Sequence, residues 1–282
     1  MNCRNSSTPN PRRTWGWLKA GLFGAALALF GTAQAQVTVT ATGVGPGPTV
    51  YATVNAAFAA INAGTHQGAI TVNVTASTTE PAPATALLRS NAPSSYTSVL
   101  ITCTGDVTVN SAATPTGSRG IIELLGADNV TIDGDDPGTA GTRNLTIQMA
   151  TNTTTGTQCI RLASNSATGT DGADNNTVRN CNIIGGRSTA PSTTSSWGIL
   201  MGNTASGTGG AYSSLNTLIE NNAITRCYTG VGAIGVSATY PNTGTIIRNN
   251  TIGSSTDANA VGSLGINLSY SAVTTGGALI SN

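Results

Sequence analysis

The chain has 282 residues and a formal net charge of +1, with only 8% of residues charged and 4% aromatic. Charge this sparse excludes a nucleic-acid binder, which needs clustered Lys and Arg to meet phosphates. With 39% hydrophobic residues and 35 Gly, the composition excludes a disordered chain and describes a turn-rich, β-rich one.

Residues 1–35 form a segment of their own. Arg12 and Arg13 precede an apolar run from Leu18 to Phe30, broken only by Lys19 and small residues, and Ala33-Gln34-Ala35 offers a small-residue cleavage site. This layout predicts a secretory signal peptide of the general export type rather than a twin-arginine one, with a retained N-terminal anchor as the alternative. The mature chain then begins near Gln36 and contains no later stretch able to span a bilayer. Cys3 leaves with the signal, and Cys103, Cys159, Cys181 and Cys227 remain. Their spacing fits no zinc pattern. They are read as small buried apolar residues, with one disulfide as the alternative that export permits.

Residues 36–97 are expected to form a cap and the first coils. Val37-Thr38-Val39-Thr40 is a short β-branched strand, and Gly43 to Pro48 a turn region. Val54, Ala57, Phe58 and Ile61 recur three and four apart within Tyr51–Asn62. That spacing predicts one amphipathic helix, with Thr53 as its N-cap. Ile70 to Val74 returns to strand alternation. A helix followed only by strands suits a lid over an open sheet end.

Residues 98–282 repeat. One kind of strand has a short aliphatic run, whose isoleucines at 121, 160, 199, 234 and 266 are 39, 39, 35 and 32 residues apart. A second kind reads Val178-Arg179-Asn180-Cys181-Asn182-Ile183, Ile219-Glu220-Asn221-Asn222-Ala223-Ile224 and Ile247-Arg248-Asn249-Asn250-Thr251-Ile252. Asn129 to Gly134 and Asn144 to Ile147 are looser versions. A fixed frame at this interval is the mark of a solenoid. In stacked coils, equivalent positions lie about 4.8 Å apart. Val178, Ile219 and Ile247 then form one inward column, and Ile183, Ile224 and Ile252 another. Asn tolerates the left-handed bend between them, so Asn180, Asn221 and Asn249 are expected to form an internal structural ladder. Arg179, Glu220 and Arg248 place unlike charges side by side. The stretches Ser164–Asp174, Arg187–Ser196 and Gly202–Ser214 are expected loops. The frame starts again at Leu279-Ile280 and stops at Asn282 with no polar cap in view, which implies a protein that continues.

The frame aliphatic-x-Asn-x-x-Ile resembles the repeat of the pectin-lyase-like superfamily, and the helix before Ile70 is similar to that superfamily's N-terminal cap. The resemblance covers most of residues 37–282. It implies an all-β, right-handed parallel β-helix solenoid with a short N-terminal capping helix. It implies no single activity, since that superfamily spans lyases, hydrolases, tailspikes, adhesins and passive surface proteins.

Chemistry is sparse in the sequence. Glycoside cleavage needs two carboxylates at a set separation, and the chain has 11 acidic residues. The dense group is Asp128, Asp133, Asp135 and Asp136, read as an acidic turn, with calcium binding as the sharper alternative. The hydrolase motifs of the resembled superfamily are missing, so no catalytic residue carries over. His66, the one histidine, is expected at the surface of a turn. Trp197 and Tyr212 flank a loop, where they either pack at its base or stack on sugar rings. No catalytic, cofactor or metal site is expected. The reading is a secreted or cell-surface bacterial protein with a structural, adhesive or glycan-binding role, its partners extracellular glycans or cell-surface components. The alternative is the N-terminal part of a polysaccharide lyase or glycoside hydrolase whose active site lies beyond Asn282.

Overall fold

The computed structural model describes Met1 and residues 36–112, 119–139, 141–149, 156–164, 171–186, 196–202, 213–256, 259–271 and 279–281. The chain divides into two compact units, Met1–Ala33 and Gln34–Asn282, and every element below belongs to the second. The expected signal, Tyr212 and most of the expected loops lie outside the described residues. No helix among the described residues is long and apolar enough to cross a membrane.

The first strand, β1 (Val37–Ala41), pairs antiparallel with β2 (Thr49–Tyr51) and with β3 (Gln67–Val74). Between β2 and β3 runs α1 (Val54–Asn62), the helix expected from its spacing. Thr53 is extended, and its hydroxyl accepts the Ala56 N–H at 3.0 Å, satisfying one of the free donors of the first turn. Val54, Ala57, Phe58 and Ile61 are all buried. The remaining donors meet a residue that the sequence did not single out. Glu80, fully buried, accepts from Val54 N at 3.1 Å and Asn55 N at 2.9 Å, and also from the side chains of Asn55 and Thr78. A carboxylate is favoured at a helix N-terminus, where the dipole is positive.

From β3 onward the chain visits three sheets in fixed rotation, and every pairing is parallel. The first sheet continues through β6 (Ser95–Cys103), β9 (Val130–Asp133), β12 (Thr177–Arg179), β15 (Leu218–Glu220), β18 (Ile246–Arg248) and β21 (Leu279–Ser281). The second holds β4 (Thr78–Glu80), β7 (Val107–Ser111), β10 (Leu145–Gln148), β13 (Cys181–Ile184), β16 (Ala223–Thr225) and β19 (Thr251–Ile252). The third holds β5 (Leu87–Leu88), β8 (Gly120–Leu125), β11 (Thr157–Ala163), β14 (Ser196–Met201), β17 (Thr229–Ile234) and β20 (Leu264–Ser269). Each return to a sheet lands one strand further along it.

The register places like residues over like. In the first sheet Val72, Ile101, Ile132, Val178, Ile219 and Ile247 are successive Cα partners. In the second, Val109, Ile147, Ile183, Ile224 and Ile252 are. All but Ile252 are buried, and Ile252 packs partly buried against the same core. Removing such columns from water is the main stabilising term in a fold of short strands.

Two expectations change. The third sheet aligns Ile122, Ile160, Ile199, Val231 and Ile266, not Ile121 and Ile234. Strands β8, β11, β14 and β17 are buried almost throughout, so their apolar residues run on without alternation and the spacing cannot tell one face from the other. Ile234 in fact packs with Trp197 and Leu200 in a separate outer cluster. Similarly, the two looser frames are halves of one. Ile132 pairs with Val178, and Leu145 and Ile147 pair with Cys181 and Ile183, so residues 135–144 are an insertion at the corner.

The four cysteines are free and buried. Burial raises the thiols of Cys103 and Cys227 to about 12 and pushes those of Cys159 and Cys181 up as well.

Candidate functional site

The corner between the first and second sheets carries the expected asparagines. Asn180, Asn221 and Asn249 have φ of 56°, 52° and 55°, a left-handed conformation that Asn tolerates better than most residues. Asn221 Nδ2 donates to Asn180 Oδ1 at 2.7 Å, and Asn180 Nδ2 donates to Asp133 Oδ1 at 2.7 Å. Arg143, from the inserted segment, donates to Asn221 O at 2.7 Å and Asn221 Oδ1 at 2.8 Å. These side chains are not internal. Asn180 and Asn221 are half-buried and Asn249 is exposed.

The inward amides sit one residue later. Asn222 is fully buried; its Oδ1 accepts from Cys181 N at 3.0 Å and its Nδ2 donates to Val178 O at 3.0 Å. Asn250 repeats this one strand on, accepting from Asn222 N at 2.9 Å and donating to Ile219 O at 2.9 Å. A left-handed turn pulls backbone groups out of the sheet ladder, and the inward amide satisfies them. The expected column does join Asn221 to Asn180, but on the outer side of the corner, because the left-handed Asn points its side chain away from the core, and the inward amides form a second column one residue later.

A second such corner, between the third and first sheets, was not anticipated. Asn129, Asn175 and Asn216 are left-handed there, with Gly244 on the next strand. Asn216 Nδ2 donates to Asn175 Oδ1 at 3.0 Å, and the buried Asn176 accepts from Val130 N and donates to Ala127 O, both at 2.8 Å. The signal that could have found both corners is the Asn-Asn doublet at 175–176, 221–222 and 249–250.

Charges line the outer face of the first sheet. Asp133, Arg179, Glu220 and Arg248 are successive Cα partners. Arg179 pairs with Asp133 at 2.7 Å and Arg248 with Glu220 at 2.7 Å. Both pairs are part-exposed, so each contributes about 0–1 kcal/mol.

The third sheet's outer face is closed over β8, β11, β14 and β17. Glu123 is fully buried and meets Arg119 at 2.8 Å, Arg161 at 3.4 Å and the Gly120 N–H at 2.7 Å. Burial lowers the Arg161 guanidinium from its ordinary value, opposed by Glu123. Trp197 is 6% exposed and lies over Gly232, where a Cβ would come within 2.5 Å of the indole ring. The ring thus packs on the sheet, and among the described residues its Nε1 and Gln158 Oε1 make no hydrogen bond.

An acidic corner joins residues distant in sequence. Asp128 Oδ1 accepts from Asp174 N at 2.7 Å, Asp174 Oδ1 accepts from Leu215 N at 2.8 Å, and Arg89 pairs with Asp171 at 2.9 Å. Burial raises the Asp128 carboxyl to about 6, helped by the charges of Asp174 and Asp171. Asp174 is raised by burial too.

The acidic turn places Asp133, Asp135 and Asp136 on different partners. Asp133 meets Arg179 and Asn180, Asp135 accepts from Gly141 N and Thr142 N, and Asp136 accepts from Gly105 N and Gly138 N. The backbone bonds lower the Asp136 carboxyl. Among the described residues no group of three or more His, Cys, Asp or Glu is placed to hold a metal ion. His66 is corrected outright. It is fully buried, with Nδ1 2.7 Å from Gly45 O and Nε2 2.8 Å from the Tyr51 hydroxyl. The turn carrying it packs on the turn after β1, where Gly45 O meets one ring nitrogen, and the Tyr51 hydroxyl at the end of β2 meets the other, which removes the penalty of burial.

No known protein family, curated protein or solved structure matches the chain.

Proposed function

We propose that this chain is an exported bacterial right-handed parallel β-helix that serves outside the cell as a non-catalytic scaffold recognising extracellular glycans. The observation that carries the reading is the fixed rotation through three parallel sheets, each return one strand further along. Asparagine columns at two corners support the likeness to the pectin-lyase-like superfamily. The side chains with titratable chemistry are occupied in holding the backbone: Asp128, Asp174, Asp135 and Asp136 accept backbone N–H groups, and Glu80 and Glu123 are enclosed. Export rests on the layout of residues 1–35, with Arg12, Arg13 and the Ala33-Gln34-Ala35 site.

The test is to incubate the purified full chain with neutral and acidic polysaccharides. Retention on the polymer with no change in its length is expected. Release of reducing ends or of unsaturated uronates would instead favour a polysaccharide-cleaving enzyme. Fractionation of the producing cells checks export: deletion of residues 1–35 should leave the chain inside.

A further inference from the structure

The sheet structure begins abruptly. The second compact unit starts at Gln34, and β1 starts at Val37, which is fully buried. Gln36 is clasped from both sides just before it. Its N–H donates to Tyr51 O at 3.1 Å, at the end of β2. Its carbonyl accepts from Thr75 N at 2.9 Å, Ala76 N at 3.3 Å and the Thr75 hydroxyl at 3.3 Å, just past β3. A cut immediately before Gln36 leaves β1 and both of its pairings whole. A cut one residue later would remove the carbonyl that Thr75 and Ala76 hold. In the sequence the bond before Gln36 follows Ala33-Gln34-Ala35, the small-residue pattern that an export peptidase reads. Among the described residues, the hydrogen bonds of Gln36 all run through its main chain. Its side-chain amide is therefore free to turn, and the residue is half-buried rather than enclosed.

We infer that removal of residues 1–35 makes Gln36 the N-terminus and that this residue then closes to pyroglutamate; the inference rests on the export reading. The unprotonated α-nitrogen of Gln36 attacks the carbon of its own side-chain amide, Cδ. The N–Cδ bond forms and the Cδ–Nε2 bond breaks. Nε2 leaves as ammonia, taking the proton that the α-nitrogen gives up. The product is a five-membered lactam, and no oxidant, reductant or further reactant enters. Nucleophile and amide belong to one residue, so the step has the advantage of an intramolecular reaction. An α-amine titrates near about 8, so the reactive form is present at neutral pH and grows as pH rises. Closure removes the charge of the terminus and its free amine. An aminopeptidase, which grips that amine, then has no hold at the start of β1. Chain ends fray unless tied down, and this one is tied by the Gln36 carbonyl, which closure leaves in place.

The experiment is mass spectrometry of the protein recovered from the exported fraction of a bacterial host that expresses the full chain. The sample is held in mildly alkaline buffer before measurement. Wild type is compared with Gln36→Asn and Gln36→Ala. Asparagine keeps the amide but is one methylene shorter, so closure would demand a strained four-membered ring; alanine has no amide. Unchanged circular dichroism establishes that each variant is folded. The wild-type N-terminal peptide should begin at residue 36 and be lighter by one ammonia than its sequence requires. Stepwise sequencing from its N-terminus should fail until pyroglutamyl aminopeptidase has removed the lactam. Both variants should begin at residue 36 with full mass and a free amine, and an ordinary aminopeptidase should trim them while wild type resists. A wild-type terminus at residue 36 with an open glutamine overturns the inference and leaves the export reading standing. A terminus at Gln34 or at any other later residue overturns the assignment of Gln36 alone. Retention of residues 1–35 removes both the inference and the export reading.

Discussion

Replacing Asn222 with alanine should be among the most damaging single changes in the chain, although it removes only a small polar side chain. Its amide holds the Cys181 N–H and the Val178 carbonyl, each at 3.0 Å, in a fully buried position. With alanine, both backbone groups are left without a partner. Each buried unsatisfied group costs about 1–3 kcal/mol, so the sum is about 2–6 kcal/mol, at the lower end if water enters. With a urea m-value of about 2 kcal/mol/M, the midpoint should fall by about 1–3 M. The contrasting change is Asn221→Gly, one residue earlier. Glycine adopts the left-handed φ of 52° without strain, the lost side-chain bonds to Asn180 and Arg143 lie at a half-buried site, and Arg143 keeps its bond to the residue 221 carbonyl. That variant should stay within about 1 kcal/mol of wild type. Urea unfolding followed by circular dichroism measures both. If Asn222→Ala costs less than Asn221→Gly, the assignment of the inward amide as keeper of the corner is wrong.

Glu80→Ala should free the start of α1 and expose the donors of Val54, Asn55 and Thr78; a loss of about 3 kcal/mol, or about 6–12 °C in melting temperature, is expected, and a shift under 2 °C would count against Glu80 as the cap. Asp128 predicts a pH effect. Its folded pKa of about 6 lies above its value in the unfolded chain, so the folded state binds the extra proton and stability is lost as pH rises from about 4 to about 6. Half-buried, it should contribute about 1 kcal/mol after discounting for solvent, with Asp174 acting in the same direction; Asp128→Asn should flatten the melting curve's dependence on pH over that window, and an unchanged slope would refute the assignment. The buried cysteines should be silent to a disulfide-exchange reagent at pH 8 in the native chain and all react after denaturation; rapid native labelling would contradict their burial. In a chain starting at Gln36, Trp197 is the single tryptophan. Its emission should be blue-shifted, and Gly232→Ala, whose Cβ meets the ring, should shift it to the red while lowering stability.

Much of the architecture is local and therefore legible. Columns such as Val178, Ile219 and Ile247 repeat because every turn of the chain meets the same surroundings, and α1 announced itself through Val54, Ala57, Phe58 and Ile61 with Thr53 before them. Left-handed Asn180, Asn221 and Asn249 belong to this class, since the bend is a property of the residue and its neighbours. Which asparagine faces inward is not. Asn221 and Asn222 are chemically identical in the sequence, and only the direction of the chain after the bend sends Asn222 to Cys181 N and Val178 O. The third sheet shows the same limit: with both faces buried, alternation vanishes and Ile121 cannot be told from Ile122. His66, Glu80 and Asp128 depend on partners 15 to 46 residues away, and no local pattern encodes such a meeting. Residue type and spacing determined which elements form and how they repeat; the closing of distant segments on one another decided which polar side chains are buried and which carboxyl is raised.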